Sequence, residues 1–256
     1  MSRALHAFAY LLLVVGAMSR CGNAPAADTN AFLFRIHSNA PGRLLPYRLL
    51  PPTHYDAGRA YPIIVYLHGA AGRGSDNLKP LDWGPLLFLD PAVREGHDFF
   101  LLVPQCPRGA GWNGATAALG DLEPLDLVFD LLTNSLAKEF RIDSKRRYLT
   151  GVSMGGHAVW TTLIRRPGFF AAGVPVCSGG DSGTVTRAAA KCPVWAFHSD
   201  DDPLVSVQLA RDLVKAWRAH GGVAKYTEYT GLKHGSWKKA YTERELFDWL
   251  FQQHTP

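Results

Sequence analysis

The sequence predicts an α/β fold: a mainly parallel central sheet with helices on both faces, introduced by a β-hairpin. Two observations carry this. From Pro62 onward, continuous apolar runs of strand length alternate with longer segments whose apolar residues recur at helical spacing. One of those runs, residues 148–152, passes through Gly151-Val152-Ser153-Met154-Gly155 into the apolar stretch 158–164: a strand, a sharp turn and a helix. The chain of 256 residues is 47% hydrophobic and 19% charged, which suits one domain with a large core that needs no disulfide or metal to stabilise it.

The N-terminus reads as a targeting segment. Arg3 gives a positive start, and residues 7–17 are apolar over the length of a signal h-region, too short to span a bilayer. Ala24-Pro25-Ala26 offers a cleavage site. The expected layout is a signal peptide over 1–26 and a single domain over 27–256. The expected location is secreted or periplasmic, with no stable membrane insertion after cleavage. Cys21 invites a lipidated reading, but Arg20 stands where a small residue should precede such a cysteine. An uncleaved anchor is the other alternative. The formal charge of +5 falls to +3 without Arg3 and Arg20, and no basic run appears, so a nucleic-acid partner is not implied.

The elements follow in order. Residues 31–36 and 45–50 read as two strands joined by the turn Asn39-Ala40-Pro41-Gly42. Residues 62–68 and 99–104 are apolar enough to be buried on both sheet faces. Leu122, Leu125, Val128, Leu131, Leu132 and Leu136 fall at helical spacing behind Asp121 as cap. Residues 171–176 and 193–198 are strands, and a helix from near Ser206 ends at Gly221-Gly222. Residues 224–229 form the last strand. Thr242 and Glu245 form a capping box for a final helix through Leu246, Phe247, Leu250 and Phe251.

The strand ends collect reactive side chains. Ser153 sits on a turn whose flanking glycines leave room for a tight backbone, and the N–H of Met154 lies at a helix N-terminus, where negative charge is stabilised. Small residues follow the 62–68 strand, and the N–H of Ala70 is the expected second donor to an oxyanion. The strand 193–198 empties into Asp200, Asp201 and Asp202, any one of which can orient a histidine while the others cap the next helix. His234 lies in the loop after the last strand. Trp112, in the loop 105–120, can line a substrate cleft or cap the core. His68, His157 and His198 are expected to hydrogen-bond near the core, and His37, His54, His97, His220 and His254 to lie at the surface. The cysteines beyond the leader are expected to be free thiols, because Cys177 and Cys192 fall at opposite ends of neighbouring parallel strands.

These residues resemble a known family, the secreted α/β-hydrolases described as predicted peptidases or as esterase and polyhydroxybutyrate-depolymerase-like proteins, related to feruloyl and acetylxylan esterases. The resemblance runs from about Leu45 to Leu250. Its carriers are Leu67-His68-Gly69-Ala70, Arg73-Gly74-Ser75-Asp76-Asn77, Pro104-Gln105-Cys106-Pro107, Gly151-Val152-Ser153-Met154-Gly155-Gly156, Pro175-Val176-Cys177-Ser178-Gly179-Gly180-Asp181, Trp195-Ala196-Phe197-His198 and His234-Gly235-Ser236-Trp237. The chain order Ser, Asp, His agrees with that fold.

The resemblance implies Ser153 as nucleophile and His234 as base. It selects Asp202 as the acid, three residues before Val205. Two positions depart from the family pattern: Ser199 stands where Gly is usual and Ser206 where Pro is usual. The implied protein is a serine hydrolase, a carboxylesterase acting on small-molecule or polymeric, possibly carbohydrate-linked, esters outside the cell through an acyl-enzyme, with no cofactor and no metal. A peptidase of the same fold and a non-catalytic binding protein are the alternatives.

Overall fold

The computed structural model describes residues 29–82, 84–94, 96–114 and 123–256. The expected signal peptide with its cleavage site and Cys21, the Asp121 cap and part of the 105–120 loop lie outside them. Eight strands among the described residues form one sheet: β1 (Leu33–Ala40), β2 (Arg43–Leu50), β3 (Tyr61–Leu67), β4 (Phe100–Pro104), β5 (Ile142–Val152), β6 (Ala172–Val176), β7 (Val194–Ser199) and β8 (Ala224–Tyr229). Their spatial order is β1-β2-β4-β3-β5-β6-β7-β8. β1 and β2 pair antiparallel, as do β2 and β4, and every later pair is parallel. The strands expected from apolar runs are all present. β3, β4 and β6 are buried at every position because both sheet faces are covered.

Four helices supply that cover. α1 (Pro124–Asp130) runs on through a wider π-helical stretch, Leu131–Leu136. With α2 (Met154–Arg165) and α3 (Val207–Ala219) it packs on one face, where Leu127, Leu131, Val159, Trp160, Leu213 and Trp217 meet Ile63, Val65 and Leu149. α4 (Arg244–Phe251) packs on the other, where Leu246, Phe247 and Leu250 join Phe88, Tyr241, Ile64 and Tyr66. Each such apolar side chain taken from water contributes about 1.5–3 kcal/mol. Among the described residues no helix is long and apolar enough to cross a membrane.

Local details differ from expectation where a tertiary partner decides them. α1 begins behind Glu123, whose N–H donates to Asp126 Oδ2 at 3.0 Å. The capping box of α4 is not formed: Glu243 precedes the helix, and Thr242 Oγ1 donates to the carbonyl of Lys239 at 2.9 Å. His37 is buried rather than exposed, because its Nε2 meets Asp130 Oδ2 of α1 at 2.7 Å across the hairpin. His157 is exposed, on the outer side of α2.

The order β4-β3-β5-β6-β7 keeps Cys106, Cys177 and Cys192 apart, and each is a buried free thiol.

Candidate active site

The turn between β5 and α2 is dictated by backbone contact. Ser153 has φ 55° and ψ −118°, a conformation that non-glycine residues rarely hold. Its N–H donates to Val176 O at 3.0 Å, which ties the turn to β6. A Cβ on Gly151 would lie 2.6 Å from the Gly155 carbonyl carbon, and one on Gly155 would collide with the Leu67 carbonyl oxygen of β3. The two glycines that frame the serine are therefore required by the close approach of β3, β5 and α2.

That contact gives a stability prediction. Gly155→Ala is expected to destabilise the protein by about 3 kcal/mol or more, since backbone and not a side-chain end must move. Thermal unfolding should fall by roughly 6–12 °C for a domain of this size. Gly111→Ala, where a Cβ meets nothing within 4 Å, serves as the near-neutral control. Equal midpoints for the two variants would refute the argument.

The loop after β3 is held from three sides. His68 is buried; its Nδ1 meets Gly69 O at 2.7 Å, and its Nε2 accepts the Cys106 N–H at 3.0 Å. Those two partners fix the proton on Nδ1. Burial lowers the His68 pKa to about 4, against the smaller opposing effect of the Gly69 carbonyl, so the ring is neutral. Gln105 Nε2 donates to Gly72 O at 3.0 Å, and Arg73 Nε to Ala110 O at 2.5 Å. The N–H groups of Ala70 and of Met154, the first residue of α2, have no protein acceptor among the described residues. Such open N–H groups can receive developing negative charge.

Trp112 requires a correction. Of its two expected roles, wall of the substrate cleft or cap of the core, it does not fill the first: it is 1% exposed and does not line the cavity beside Ser153. Its Nε1 donates to His68 O at 3.0 Å and its ring lies 4.9 Å from the imidazole. It is a buttress beneath the Gly69–Ala70 loop.

The acid loop follows β7. Asp202 has a fully buried carboxylate, with Oδ2 2.7 Å from His234 Nδ1. Its Oδ1 accepts the N–H groups of Leu204 at 2.9 Å and Val205 at 3.0 Å. Burial pushes its pKa up, but the hydrogen bonds from His234, Val205 and Leu204 outweigh that and hold it below the usual carboxylate range.

Asp201 and Asp200 do other work. Asp201 Oδ1 accepts from Ser199 Oγ at 2.6 Å and Lys233 N at 2.9 Å, and Asp200 Oδ2 from Thr230 Oγ1 at 2.9 Å. Ser199 also accepts the Leu232 N–H at 3.1 Å, so the serine that replaces the usual glycine knits the two loops together. Ser206, in place of the usual proline, caps α3 by accepting the Gln208 N–H at 3.4 Å.

Ser153, His234, Ala70 and Gly69 open on one cavity of about 440 Å³. His234 retains 24% side-chain exposure there. Val152, Cys177, Leu204 and Trp237 supply mostly apolar walls, and Lys238 is the cation among the lining residues. Sequence reasoning gave no site role to Cys177, Leu204, Trp237 or Lys238. Cys177 and Trp237 carried a signal, each lying in a motif of the resemblance, Trp237 three residues beyond His234. The Cys177 thiol is pushed up to about 12 by burial, which makes it a poor nucleophile. Among the described residues no three His, Cys, Asp or Glu side chains converge as metal ligands.

The parallel sheet, the strained serine turn and the histidine–aspartate pair at neighbouring strand ends are the features of the α/β-hydrolase fold. Comparison with known proteins places the chain further. No family model matches it. It is 30% identical over 183 residues, 72% of its length, to a bifunctional acetylxylan esterase/xylanase of Neocallimastix patriciarum, of which it spans 23%. It is 25% identical over 224 residues to a probable feruloyl esterase C of Aspergillus niger, covering 84% of this chain and 76% of that one. A solved thermostable esterase superposes with a TM-score of 0.79 at 36% identity, over 88% of this chain and 64% of the other. The chain has the α/β-hydrolase fold, and these relatives are named esterases.

Proposed function

We propose that the chain is a carboxylesterase that transfers an acyl group through Ser153, with His234 as base and Asp202 as its orienting acid. The observation that carries this is the 2.7 Å pair between Asp202 and His234 beside the cavity that Ser153 lines. His234 Nε2, opposite the nitrogen bound to Asp202, takes the hydroxyl proton as Ser153 Oγ attacks the ester carbonyl. The N–H groups of Met154 and Ala70 stabilise the oxyanion. The tetrahedral intermediate collapses, His234 returns the proton to the departing alcohol, and the acyl group remains on Ser153. Water, deprotonated by His234, then releases the acid.

The apolar walls suit an acyl group of modest size, and the relatives' names point to carbohydrate-linked esters as the substrate class. Export is part of this reading. It rests on the leader residues 1–26, and an intact Met1 in the mass of the mature protein would refute it.

The test against a peptidase is direct. An amide departs only with a proton delivered to its nitrogen and a peptide gripped along its backbone. kcat/KM on a short acyl ester is expected to exceed that on a matched peptide anilide by about 10²-fold or more. Peptide turnover equal to or faster than ester turnover, and lost in Ser153→Ala, would make peptidase the correct reading.

A further inference from the structure

We propose that His198 is a positioning residue of this site: its Nε2–H locks the Asp202 carboxylate in the orientation that receives His234. The inference rests on the reading of Asp202 and His234 as the working pair.

His198 is the penultimate residue of β7, and its side chain is fully buried. Its Nε2 lies 3.0 Å from Val205 O and 3.2 Å from Asp202 Oδ2. A carbonyl oxygen can only accept, so Nε2 carries the proton and donates it to Val205 O, with Asp202 Oδ2 close beside that bond. His234 on Oδ2 and the Leu204 and Val205 N–H groups on Oδ1 give Asp202 three donors, and the His198 Nε2–H dipole stands against Oδ2 as its further polar neighbour. A carboxylate tied by three donors, with an N–H dipole fixed against one oxygen, cannot rotate without breaking several of these contacts.

The other ring nitrogen supports the assignment. His198 Nδ1 is buried with no hydrogen-bond partner. An unpaired buried acceptor is destabilising, and a leucine would fill the same space without it. The imidazole therefore needs a reason to stand there, and the Nε2 side supplies one.

The surroundings keep the ring neutral. Burial lowers its pKa, against the raising effects of the Val205 carbonyl and Asp202. The groups that face it are Asp202, His234 across the carboxylate, and Glu228, its register partner on β8. Glu228 is occupied by Arg211 at 2.9 and 2.6 Å and by the Tyr226 hydroxyl at 2.6 Å. Asp202 is thus the carboxylate for which His198 is available. His198 does not line the cavity, so its effect on catalysis must pass through Asp202.

The test compares three variants on a short acyl ester. His198→Gln can place an N–H near the position of Nε2; His198→Asn is a methylene too short, and His198→Leu has no donor. His198→Leu and His198→Asn are expected to lose about 10- to 100-fold in kcat, because the N–H beside the Asp202 charge and its bond to Val205 O are both lost, with KM within about twofold of the parent. His198→Gln is expected to recover to within about threefold of the parent.

The pH profile separates positioning from packing. Removing the Nε2–H leaves more of the Asp202 charge to His234, which favours the imidazolium. The acid limb of kcat/KM should therefore move to higher pH in His198→Leu and His198→Asn and stay in place in His198→Gln. The rate at which a fluorophosphonate labels Ser153 follows the same proton and is read on folded protein alone. If His198→Leu does not fold, that rate in the Gln and Asn variants carries the test.

Equal losses in all three variants with an unmoved acid limb would overturn the inference in favour of packing. So would parent-like kcat in His198→Leu while Asp202→Asn is inactive. Near-full activity in Asp202→Asn would overturn the reading of the pair, and this inference with it.

Discussion

Ser153→Ala is expected to remove ester hydrolysis almost entirely, by on the order of 10⁴-fold or more in kcat. The residual rate should come from the oxyanion donors and the cavity, which the substitution leaves in place. KM should change little, because a hydroxyl that attacks the carbonyl contributes mainly after the substrate is bound. The backbone at this position is held by the Ser153 N–H to Val176 O bond and by the packing of Gly151 and Gly155, none of which needs the hydroxyl. The variant should therefore unfold close to the parent temperature while losing all fluorophosphonate labelling. Activity retained in Ser153→Ala, or label found on a different serine, would remove the nucleophile from the proposed mechanism.

Asp202→Asn is expected to follow, with a fall on the order of 10⁴-fold in kcat. An amide can keep an oxygen toward the Leu204 and Val205 N–H groups, which leaves its NH₂ facing His234 Nδ1. That contact favours the tautomer with the proton on Nε2, where the base must be bare to accept from Ser153. Asp201→Asn should be mild, within about tenfold, because Asp201 only ties Ser199 Oγ and Lys233 N and meets no ring nitrogen. The measurement is kcat for both variants on one ester. A larger loss in Asp201→Asn would move the acid by one residue and undo the assignment.

Much of the fold was legible because its determinants are local. Buried parallel strands read as unbroken apolar runs. The serine turn read from glycine spacing, since the collision at Gly155 depends on a backbone path that any such turn must follow. The choice of Asp202 among three carboxylates came from resemblance, because alternate burial along a loop leaves no periodic trace.

What could not be read depends on partners far along the chain. Trp112 faces inward because the His68 carbonyl, 44 residues earlier, takes its N–H. His37 is buried by Asp130, 93 residues away. The cap of α4 shifted because Thr242 found the Lys239 carbonyl, a local competition that residue type alone does not rank. Ser199 looked like a departure that could disturb the acid loop, and its hydroxyl joins that loop to the histidine loop instead.

The exposed rim of the cavity divides the molecule's labour. The glycines that frame Ser153, the Asp202 carboxylate and the Gly69–Ala70 loop are fixed by contacts that folding itself demands, so under the proposed mechanism a change there is lost twice, as activity and as protein. Leu204 stands 73% exposed at the lip, and Lys238 is exposed beside it. Neither supports the core, and substitutions at such positions typically shift stability by no more than about 0.5 kcal/mol. Selection can therefore rewrite the rim freely while the reaction centre stands still. One inherited mechanism can in this way be carried from one ester to the next by changes at a few unconstrained positions.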